Sequence, residues 1–471
     1  MIALHLPILK CPFHWDEMGQ FAPASLDLYT DGSLVAHSTL PNVHPPGVMA
    51  IVALAWRLCG VSVVAARVAM LVVASAGLLF SFLLAIRLCR GLEGAPAFAA
   101  VLFLMASPIF FSQSEMILLD MPAMTFTSLA LLLFLDERYL ACAAACTALV
   151  LVKETAITTP MVLGAWLLFR EKKIRQALFF LAPAIALGAW LILLHARTGH
   201  WLGNEEFARD NVGGALSLAH IALGFVGRFH YLFIADGRWI GAIALIAGFR
   251  VMKGKAWTIA ILVALAQIVI VTVLGYAMLE RYLLPALPVL YAAMAASFTV
   301  FRPALRWTMQ AAMIALLVIG WFWNPPYPFS YENNLAWTDF VALQKEAANY
   351  LEANAPGRRI AGAWPFCGAI QHPYLGYVDK PLNSVEIQGY QLPEIAAADR
   401  NTWDILVVYE KFWTFEGTSF TNPLVRLIAK QYAGYHPQAT SQEIRNNIGL
   451  IPLHRWERGG QWIEIYAKPA N

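Results

Sequence analysis

Two neighbouring carboxylates, Asp16 and Glu17, stand near the start of the sequence in a polar stretch that also holds His14, Asp27 and His37. Such a pair can divide the work of a transfer reaction, because one carboxylate accepts a proton from the incoming nucleophile while the other holds the geometry or a cation. An ordinary solvated acidic loop has the same spacing. The dipeptide alone therefore leaves both interpretations open.

Two further carboxylates, Glu115 and Asp120, lie in a short turn between two apolar runs. Asp120 precedes Met121-Pro122, so it fits the N-cap of a helix, where an acidic side chain contributes about 1 kcal/mol. The alternative is a second carboxylate that faces the same cavity as Asp16. Both interpretations stay open at this point.

Three residues able to bind an anion, His44, Lys153 and Arg281, stand at the ends of apolar runs. Ionisable groups in such places either reach towards the membrane interface or serve a function. All three are predicted on the same side of the membrane as Asp16. That arrangement suits a phosphate bound beside a base. Tyr282, the neighbour of Arg281, is included as a cavity residue.

The elements that position these residues must be membrane helices. Of 471 residues, 59% are hydrophobic and only 13% are charged, and the mean hydropathy is +0.58, far from the balance of a soluble domain. A bilayer core of about 30 Å requires about 20 apolar residues in a helix. Ten runs fit roughly: residues 68–86, 95–111, 121–135, 139–152, 155–169, 177–194, 239–249, 256–278, 282–301 and 307–323.

The positions of the basic residues predict how the membrane helices are oriented relative to the two sides of the membrane. Basic residues follow alternate spans, at 87–90, 138, 170–175, 250–255 and 302–306, and such loops mark the cytoplasmic side. The segment 216–234 carries Arg228 and His230, and we therefore place it along the outer interface. The N-terminus would then lie outside without a preceding helix, so we expect that a first membrane helix is missing from this chain.

Three regions follow from this topology. Residues 1–64 form an external first loop with an amphipathic interfacial helix at 48–58. Residues 65–323 form a transmembrane bundle of about ten helices. Residues 324–471 form a soluble external α/β domain, in which 339–354 reads as an amphipathic helix and 359–363 and 404–409 read as buried strands. The predicted fold class is a polytopic α-helical membrane protein with a small C-terminal α/β domain.

The net charge and the cysteine spacing argue against a nucleic-acid-binding protein and against a metal site built from cysteines. The net charge of +3 is small and its basic residues are scattered, which argues against a nucleic-acid partner. The six cysteines show no metal-ligand spacing, and Cys142 and Cys146 share one helix face in an apolar run that favours packing.

The motifs together resemble the GT-C superfamily of glycosyltransferases, in particular the protein O-mannosyltransferases and the lipid A aminoarabinose transferases. The resemblance covers about residues 12–325. It is carried, in order, by Asp16-Glu17, His44-Pro45-Pro46-Gly47, Ala65-Ala66-Arg67, Leu119-Asp120-Met121-Pro122, Leu151-Val152-Lys153-Glu154 and Arg281-Tyr282-Leu283-Leu284-Pro285.

This resemblance implies transfer of a hexose or pentose from a polyprenyl-phosphate donor to a lipid, glycan or protein acceptor, with inversion at the anomeric carbon. The reaction would take place on the periplasmic side of a bacterial inner membrane, among membrane lipids. Asp16 would be the general base and Glu17 its partner.

The other positions follow from the same resemblance. His44, Lys153 and Arg281 would bind the donor phosphate, while Asp120, with Glu115 and Tyr282, would support the cavity. His44 replaces the usual lysine, which implies donor binding sensitive to pH. No cofactor is required, and a divalent cation is possible but is disfavoured beside these basic groups.

Two other functions remain as alternatives. A secondary transporter would also have many spans, but the sequence has no half-length repeat, and its charges cluster at one face rather than at mid-membrane. A membrane sensor that binds a ligand through the external domain would not require the large polar first loop.

Overall fold

The structure is a computed structural model that describes residues 2–209, 217–275, 279–325, 329–411, 423–432 and 437–469. The chain forms two compact units. The helical unit contains Ala24–Leu54 and Val68–Trp323, and the α/β unit contains Ile2–Pro23, Ala55–Arg67 and Asn324–Asn471. The predicted first loop, residues 1–64, is thus divided between the two units.

Four helices in the described parts of the chain are long and apolar enough to cross a membrane: Val63–Leu88, Ile174–Thr198, Lys255–Leu274 and Glu280–Val300. A bent pair, Leu218–Phe233 and Ala235–Val251, raises the number to as many as five if the pair is one span. Five shorter apolar helices are Gly47–Cys59, Pro96–Ala106, Asp120–Leu135, Tyr139–Val152 and Pro303–Ile319. The predicted polytopic helical fold class is confirmed.

Several predicted spans are interrupted. The run at 95–111 ends as a helix at Ala106 and restarts as Pro108–Gln113, because proline lacks the amide hydrogen that continues a helix. The run at 155–169 is built from a 3₁₀ turn Glu154–Ile157, a helix Thr158–Ala165 and a π-helix Trp166–Arg170. Short helices also cover Ile2–His5, Glu17–Phe21, Ala22–Thr30 and Glu205–Ala208.

The segment predicted to lie along the interface, 216–234, includes the helix Leu218–Phe233, which meets the following helix Ala235–Val251 at a bend of 48°. Its place along the interface stays a prediction. The bend occurs where Asp236 and Gly237 take positive φ angles of 51° and 80°. Fully buried Arg238 holds it, because the guanidinium reaches Asp236 Oδ2 at 2.8 Å and donates to the hydroxyls of Tyr231 and Tyr291 at 3.1 and 2.9 Å.

The α/β unit contains a five-stranded sheet in the order β2-β1-β3-β5-β4. Its strands are β1 (Ile360–Ala363), β2 (Ser384–Ile387), β3 (Ile405–Tyr409), β4 (Ile451–Arg458) and β5 (Gln461–Ala467). β1 is parallel to β2 and β3, and β5 is antiparallel to β3 and β4. The predicted small C-terminal α/β domain is confirmed.

Apolar runs explain the interior of this sheet, since β1 and β3 are buried along their whole length. Strands covered on both faces read as continuous hydrophobic sequence rather than as an alternating pattern. The C-terminal part of the unit includes the helices Ala336–Asn354, Phe366–Gln371, Leu392–Ala397, Pro423–Tyr432 and Ser441–Glu443, the last of which continues into the π-helix Ile444–Ile448.

Candidate functional site

Asp120 joins two distant basic residues in the helical unit. Lys153 Nζ donates to Asp120 Oδ1, and Arg281 Nε lies 3.4 Å from Asp120 Oδ2. All three side chains are buried. Asp120 is the first residue of its helix, the N-cap is Leu119, and no side chain caps this end. The N-cap interpretation of Asp120 is therefore wrong, because its carboxylate serves a buried ion triad.

The surrounding elements explain this convergence. Lys153 ends the helix Tyr139–Val152 in an extended conformation, and Arg281 lies in the 3₁₀ segment Glu280–Ala286. The helix that begins at Asp120 packs against both of these elements. Long side chains at two helix ends can therefore meet one carboxylate.

Three cationic side chains surround the ring of Tyr282. Lys153 Nζ lies 4.2 Å from the ring centroid, and the guanidinium carbons of Arg281 and Arg228 lie 5.7 and 5.9 Å from it. Cations at such distances are attracted by the ring quadrupole, most strongly where water is excluded. We call Lys153, Arg228, Arg281 and Tyr282 the cation cluster.

Arg228 is a member that the sequence did not reveal as a site residue. It is buried in the helix Leu218–Phe233, and its Nη1 donates to the carbonyl of Leu279, close to Arg281 in the chain. The available signal was an arginine in an otherwise apolar run. A charged residue in such a run is either functional or placed at an interface, and the sequence alone favours the interface for this segment.

His44 is tied to the chain segment that carries Lys153. Its Nδ1 lies 3.0 Å from Glu154 Oε2, and both side chains are less than one fifth exposed. Gly47 explains the approach, since a Cβ atom at this position would lie 2.4 Å from the Leu151 carbonyl oxygen. Only glycine lets the His44-Pro45-Pro46-Gly47 segment lie so close to that helix end.

The ionisation of Glu154 reflects this pairing. Burial favours the neutral acid, but the charge of His44 and its hydrogen bond outweigh burial and hold the pKa of Glu154 below its usual value. Glu154 is a second site residue that the sequence interpretation left out, although it directly follows Lys153.

Asp16 and Glu17 belong to the α/β unit. The chain reaches Asp16 through Trp15, whose φ angle is +40°, and continues as a π-helix over Glu17–Phe21. Both a non-glycine residue with positive φ and a π-helix are uncommon and occur often at functional sites. Asp16 is partly exposed, whereas Glu17 is fully buried.

Glu17 is held from two directions. Its Oε2 accepts a hydrogen bond from the His14 amide at 2.8 Å and lies 3.4 Å from Nη2 of Arg67. Arg67 is itself fully buried and donates to the carbonyls of Cys11 and Pro12 at 3.0 and 2.8 Å. These contacts fix the Glu17 carboxylate to the backbone of its own segment and to Arg67. The catalytic role of Glu17 stays a prediction.

The predicted site residues thus fall into two groups. Within the helical unit, Lys153 and Arg281 each contact both the Asp120 carboxylate and the Tyr282 ring. His44 is linked to them through Glu154, the residue after Lys153. Glu115 is fully buried between the helices Pro108–Gln113 and Asp120–Leu135. The pairing of Asp16 with the cation cluster is a proposal, developed below. Among the described residues, no three His, Cys, Asp or Glu side chains are grouped so as to hold a metal ion.

Fold and site together define a polytopic helical membrane protein with a small α/β domain. Two crystal structures of ArnT from Cupriavidus metallidurans share this fold. The one bound to undecaprenyl phosphate has a TM-score of 0.53, with 14% identity over 98% of this chain and 97% of that chain. The one in the apo state has a TM-score of 0.55, with 14% identity over 98% and 96%.

The oligosaccharyltransferase of Archaeoglobus fulgidus, in its apo form, has a TM-score of 0.48, with 12% identity over 87% of this chain and 68% of that chain. No protein-family model and no curated protein sequence matches the chain. The predicted resemblance to GT-C proteins is confirmed at the level of the fold.

Proposed function

We propose that this protein is a membrane glycosyltransferase that moves a hexose or pentose from a polyprenyl-phosphate donor to a lipid, glycan or protein acceptor. The observation that carries the proposal is the convergence of Lys153, Arg228 and Arg281 on Tyr282, beside Asp120. Buried cations gathered around one point suit a phosphate ligand. The similar ArnT structure holds undecaprenyl phosphate, which agrees with a donor of this class.

The cation cluster supplies what the leaving group requires. When the bond between the anomeric carbon and the phosphate oxygen breaks, the polyprenyl phosphate gains negative charge. Fixed positive groups in a site without water stabilise that charge at no cost of reorganisation. His44, held by Glu154, is the further donor that we assign to the phosphate.

Asp16 is the proposed general base. It takes the proton from the acceptor hydroxyl as the oxygen forms its bond to the anomeric carbon, on the face opposite the departing phosphate. This single displacement inverts the anomeric configuration. We place the site on the periplasmic side of a bacterial inner membrane, because the basic loops predict that the other side is cytoplasmic.

We propose that transfer does not depend on a metal ion. The two oxygens of Asp120 face Lys153 and Arg281, so this carboxylate already has cationic partners. Activity that is unchanged after treatment with a chelator is the expected result. Activity that is lost and then restored by a divalent cation would contradict it.

Donor binding is tested first, because it does not require the sugar to be known. The purified chain in detergent is titrated with undecaprenyl phosphate, and the unfolding temperature is followed. We expect stabilisation of the wild type, since a ligand that binds only the folded state raises its stability. Lys153→Met and Arg281→Met should remove most of this shift, while the exposed Lys380→Met should keep it. Equal shifts in all variants would reject the phosphate site.

Turnover is tested with a panel of undecaprenyl-phosphate sugars and a membrane lipid extract as acceptor. Asp16→Asn should lower the transfer rate by roughly 10²–10⁴-fold, the usual contribution of a general base, and should keep the shift with undecaprenyl phosphate. Asp379→Asn, an exposed aspartate of the same unit, is the matched control. Transfer at the wild-type rate by Asp16→Asn would refute the assignment of the base.

A further inference from the structure

Within the α/β unit, the C-terminal domain contacts the Asp16 segment, residues 12–21, through hydrogen bonds to its backbone. The Phe13 amide donates to the Leu375 carbonyl at 3.2 Å, and the Tyr377 hydroxyl donates to the Phe13 carbonyl at 2.7 Å. Tyr377 and Phe13 are fully buried. The start of the Asp16 segment is therefore fixed by the region around Tyr377.

Trp364 fixes the other side of Asp16. Its ring centroid lies 5.3 Å from that of Trp15 in an edge arrangement. A Cβ atom added to Gly19 would lie 2.2 Å from Trp364 Cζ2, so the indole occupies the space where a side chain at Gly19 would be. Residues on both sides of Asp16 in the chain thus pack against one tryptophan.

Trp364 is itself held by the sheet. It follows the last residue of β1, and the Tyr409 hydroxyl at the end of the parallel strand β3 donates to the Trp364 carbonyl at 2.8 Å. The ring of Phe340, from the helix Ala336–Asn354, lies 5.8 Å from Trp15 and 5.7 Å from Tyr409. Packed side chains therefore connect Tyr409 of the buried sheet, through Phe340, with Trp15.

The contact between Trp364 and the Asp16 segment lies at the carboxyl ends of two parallel strands, β1 and β3. In sheets of parallel strands, ligands commonly bind beyond the carboxyl ends of the strands. Here Trp364 and Tyr409 lie at those ends of β1 and β3, and the residues packed there belong to the chain's own Asp16 segment. At this edge of the sheet, the C-terminal domain therefore packs against the Asp16 segment of its own chain.

We propose that the C-terminal α/β domain positions the general base, with Trp364 and Tyr377 as positioning residues for Asp16. This inference rests on the proposed function. A base displaced by about 1 Å from the proton it accepts loses roughly 10²-fold in rate. Variants that loosen the contact therefore lower kcat and leave donor binding unchanged.

The experiment uses the full chain in detergent, with two readouts: kcat for sugar transfer and the thermal shift with undecaprenyl phosphate. Tyr377→Phe removes only the hydroxyl that holds the Phe13 carbonyl, and we expect kcat to fall roughly tenfold. Tyr466→Phe removes a hydroxyl on β5 and serves as the matched control. Both variants should keep the wild-type thermal shift.

Gly19→Ala and Trp364→Leu test the second contact as a double-mutant cycle. Gly19→Ala should lower kcat by roughly 10²-fold, and Gly368→Ala is its control, since no atom lies within 4 Å of the added Cβ. Trp364→Leu removes the ring atoms that obstruct a side chain at Gly19. In the Trp364→Leu background, Gly19→Ala should therefore lower kcat much less than it does in the wild type. The two single reductions in kcat should not multiply in the double variant.

The outcomes separate the two proposals. If Asp16→Asn transfers sugar normally, the proposed function fails. If Asp16→Asn is inactive while Tyr377→Phe and Gly19→Ala keep the wild-type kcat, the positioning role is refuted and the proposed function stands. A parallel loss of kcat and of the thermal shift, or effects of Gly19→Ala and Trp364→Leu that multiply, would also overturn the positioning role.

Discussion

His44 Nδ1 and Glu154 Oε2 lie 3.0 Å apart, although the two residues are 110 positions apart in the chain. The contact ties the segment before the helix Gly47–Cys59 to the residue that follows Lys153. It gives the imidazole ring a defined orientation, because the nitrogen that donates to the carboxylate fixes the role of the other nitrogen. Glu154 therefore acts on the proposed phosphate site through His44.

Glu154→Ala tests this link. Without the carboxylate, the His44 ring loses its orienting partner, and we expect roughly tenfold weaker binding of undecaprenyl phosphate, which corresponds to about 1.4 kcal/mol. The measurement is a titration followed by thermal shift at pH 7. Glu93→Ala, at an exposed carboxylate between two helices, should bind as the wild type does. An unchanged affinity of Glu154→Ala would rule out this role.

Asp120→Asn tests the buried ion triad. Loss of one partner of a buried ion pair costs about 3–5 kcal/mol, so the unfolding temperature without ligand should fall clearly. An anionic ligand can replace the missing charge beside Lys153 and Arg281. The shift caused by undecaprenyl phosphate should therefore be larger than in the wild type.

The control for Asp120→Asn is Asp136→Asn. Asp136 lies 3.3 Å from Arg87, but its side chain is 46% exposed, and such surface pairs contribute little. We expect nearly wild-type unfolding from this variant. A smaller ligand shift in Asp120→Asn than in the wild type would contradict the charge argument.

Tyr282 should act through its ring rather than through its hydroxyl. Tyr282→Phe keeps the aromatic face near Lys153, Arg228 and Arg281, so binding of undecaprenyl phosphate should stay within about twofold of the wild type. Tyr282→Leu loses cation–π contacts that contribute about 1–2 kcal/mol when they are desolvated, so binding should weaken roughly tenfold. Equal affinities for the two variants would show that the ring does not organise the cations.

The α/β unit should show an acid-sensitive ion pair. Hydrogen bonds from the Arg359 side chain and backbone lower the pKa of Asp404 to about 2. Because the folded pKa lies below the unfolded value of about 3.9, the pair stabilises the fold above pH 4 and loses this effect as the pH falls towards 2.

Asp404→Asn should therefore lower the unfolding temperature slightly at pH 7 and have a vanishing effect near pH 2. The effect is small because both side chains are partly exposed. Thermal unfolding across pH 2–7, compared with the wild type, is the measurement. A difference that grows towards low pH would have the wrong sign for this mechanism.

Much of the fold was predictable because membrane helices and buried strands leave local signals. Each of the ten predicted runs has a helical counterpart in the structure, and the helix at 339–354 and the strands near 360 and 405 are present. The breaks within these helices were harder to predict from the sequence. Pro108 and the Asp236-Gly237 bend interrupt apolar runs whose composition continues without change.

The candidate site was predicted only in part. Asp120, Lys153, Arg281 and Tyr282 were singled out because ionisable residues at span ends are conspicuous in an apolar sequence. The bend between the helix of Arg228 and the next helix was not predictable, because it depends on a backbone conformation and on the distant partners of Arg238. No local pattern encodes those partners.

By itself, the amino-acid sequence determined that the protein is a membrane protein with a small α/β domain, since the cost of exposing long apolar runs to water depends on composition alone. Which ionisable residues meet was decided only by tertiary structure. Asp120 binds Lys153 rather than capping its own helix, and Glu17 is sealed against Arg67 while its neighbour Asp16 is partly exposed. Such pairings depend on side-chain directions across packed elements, which residues far apart in the chain establish together.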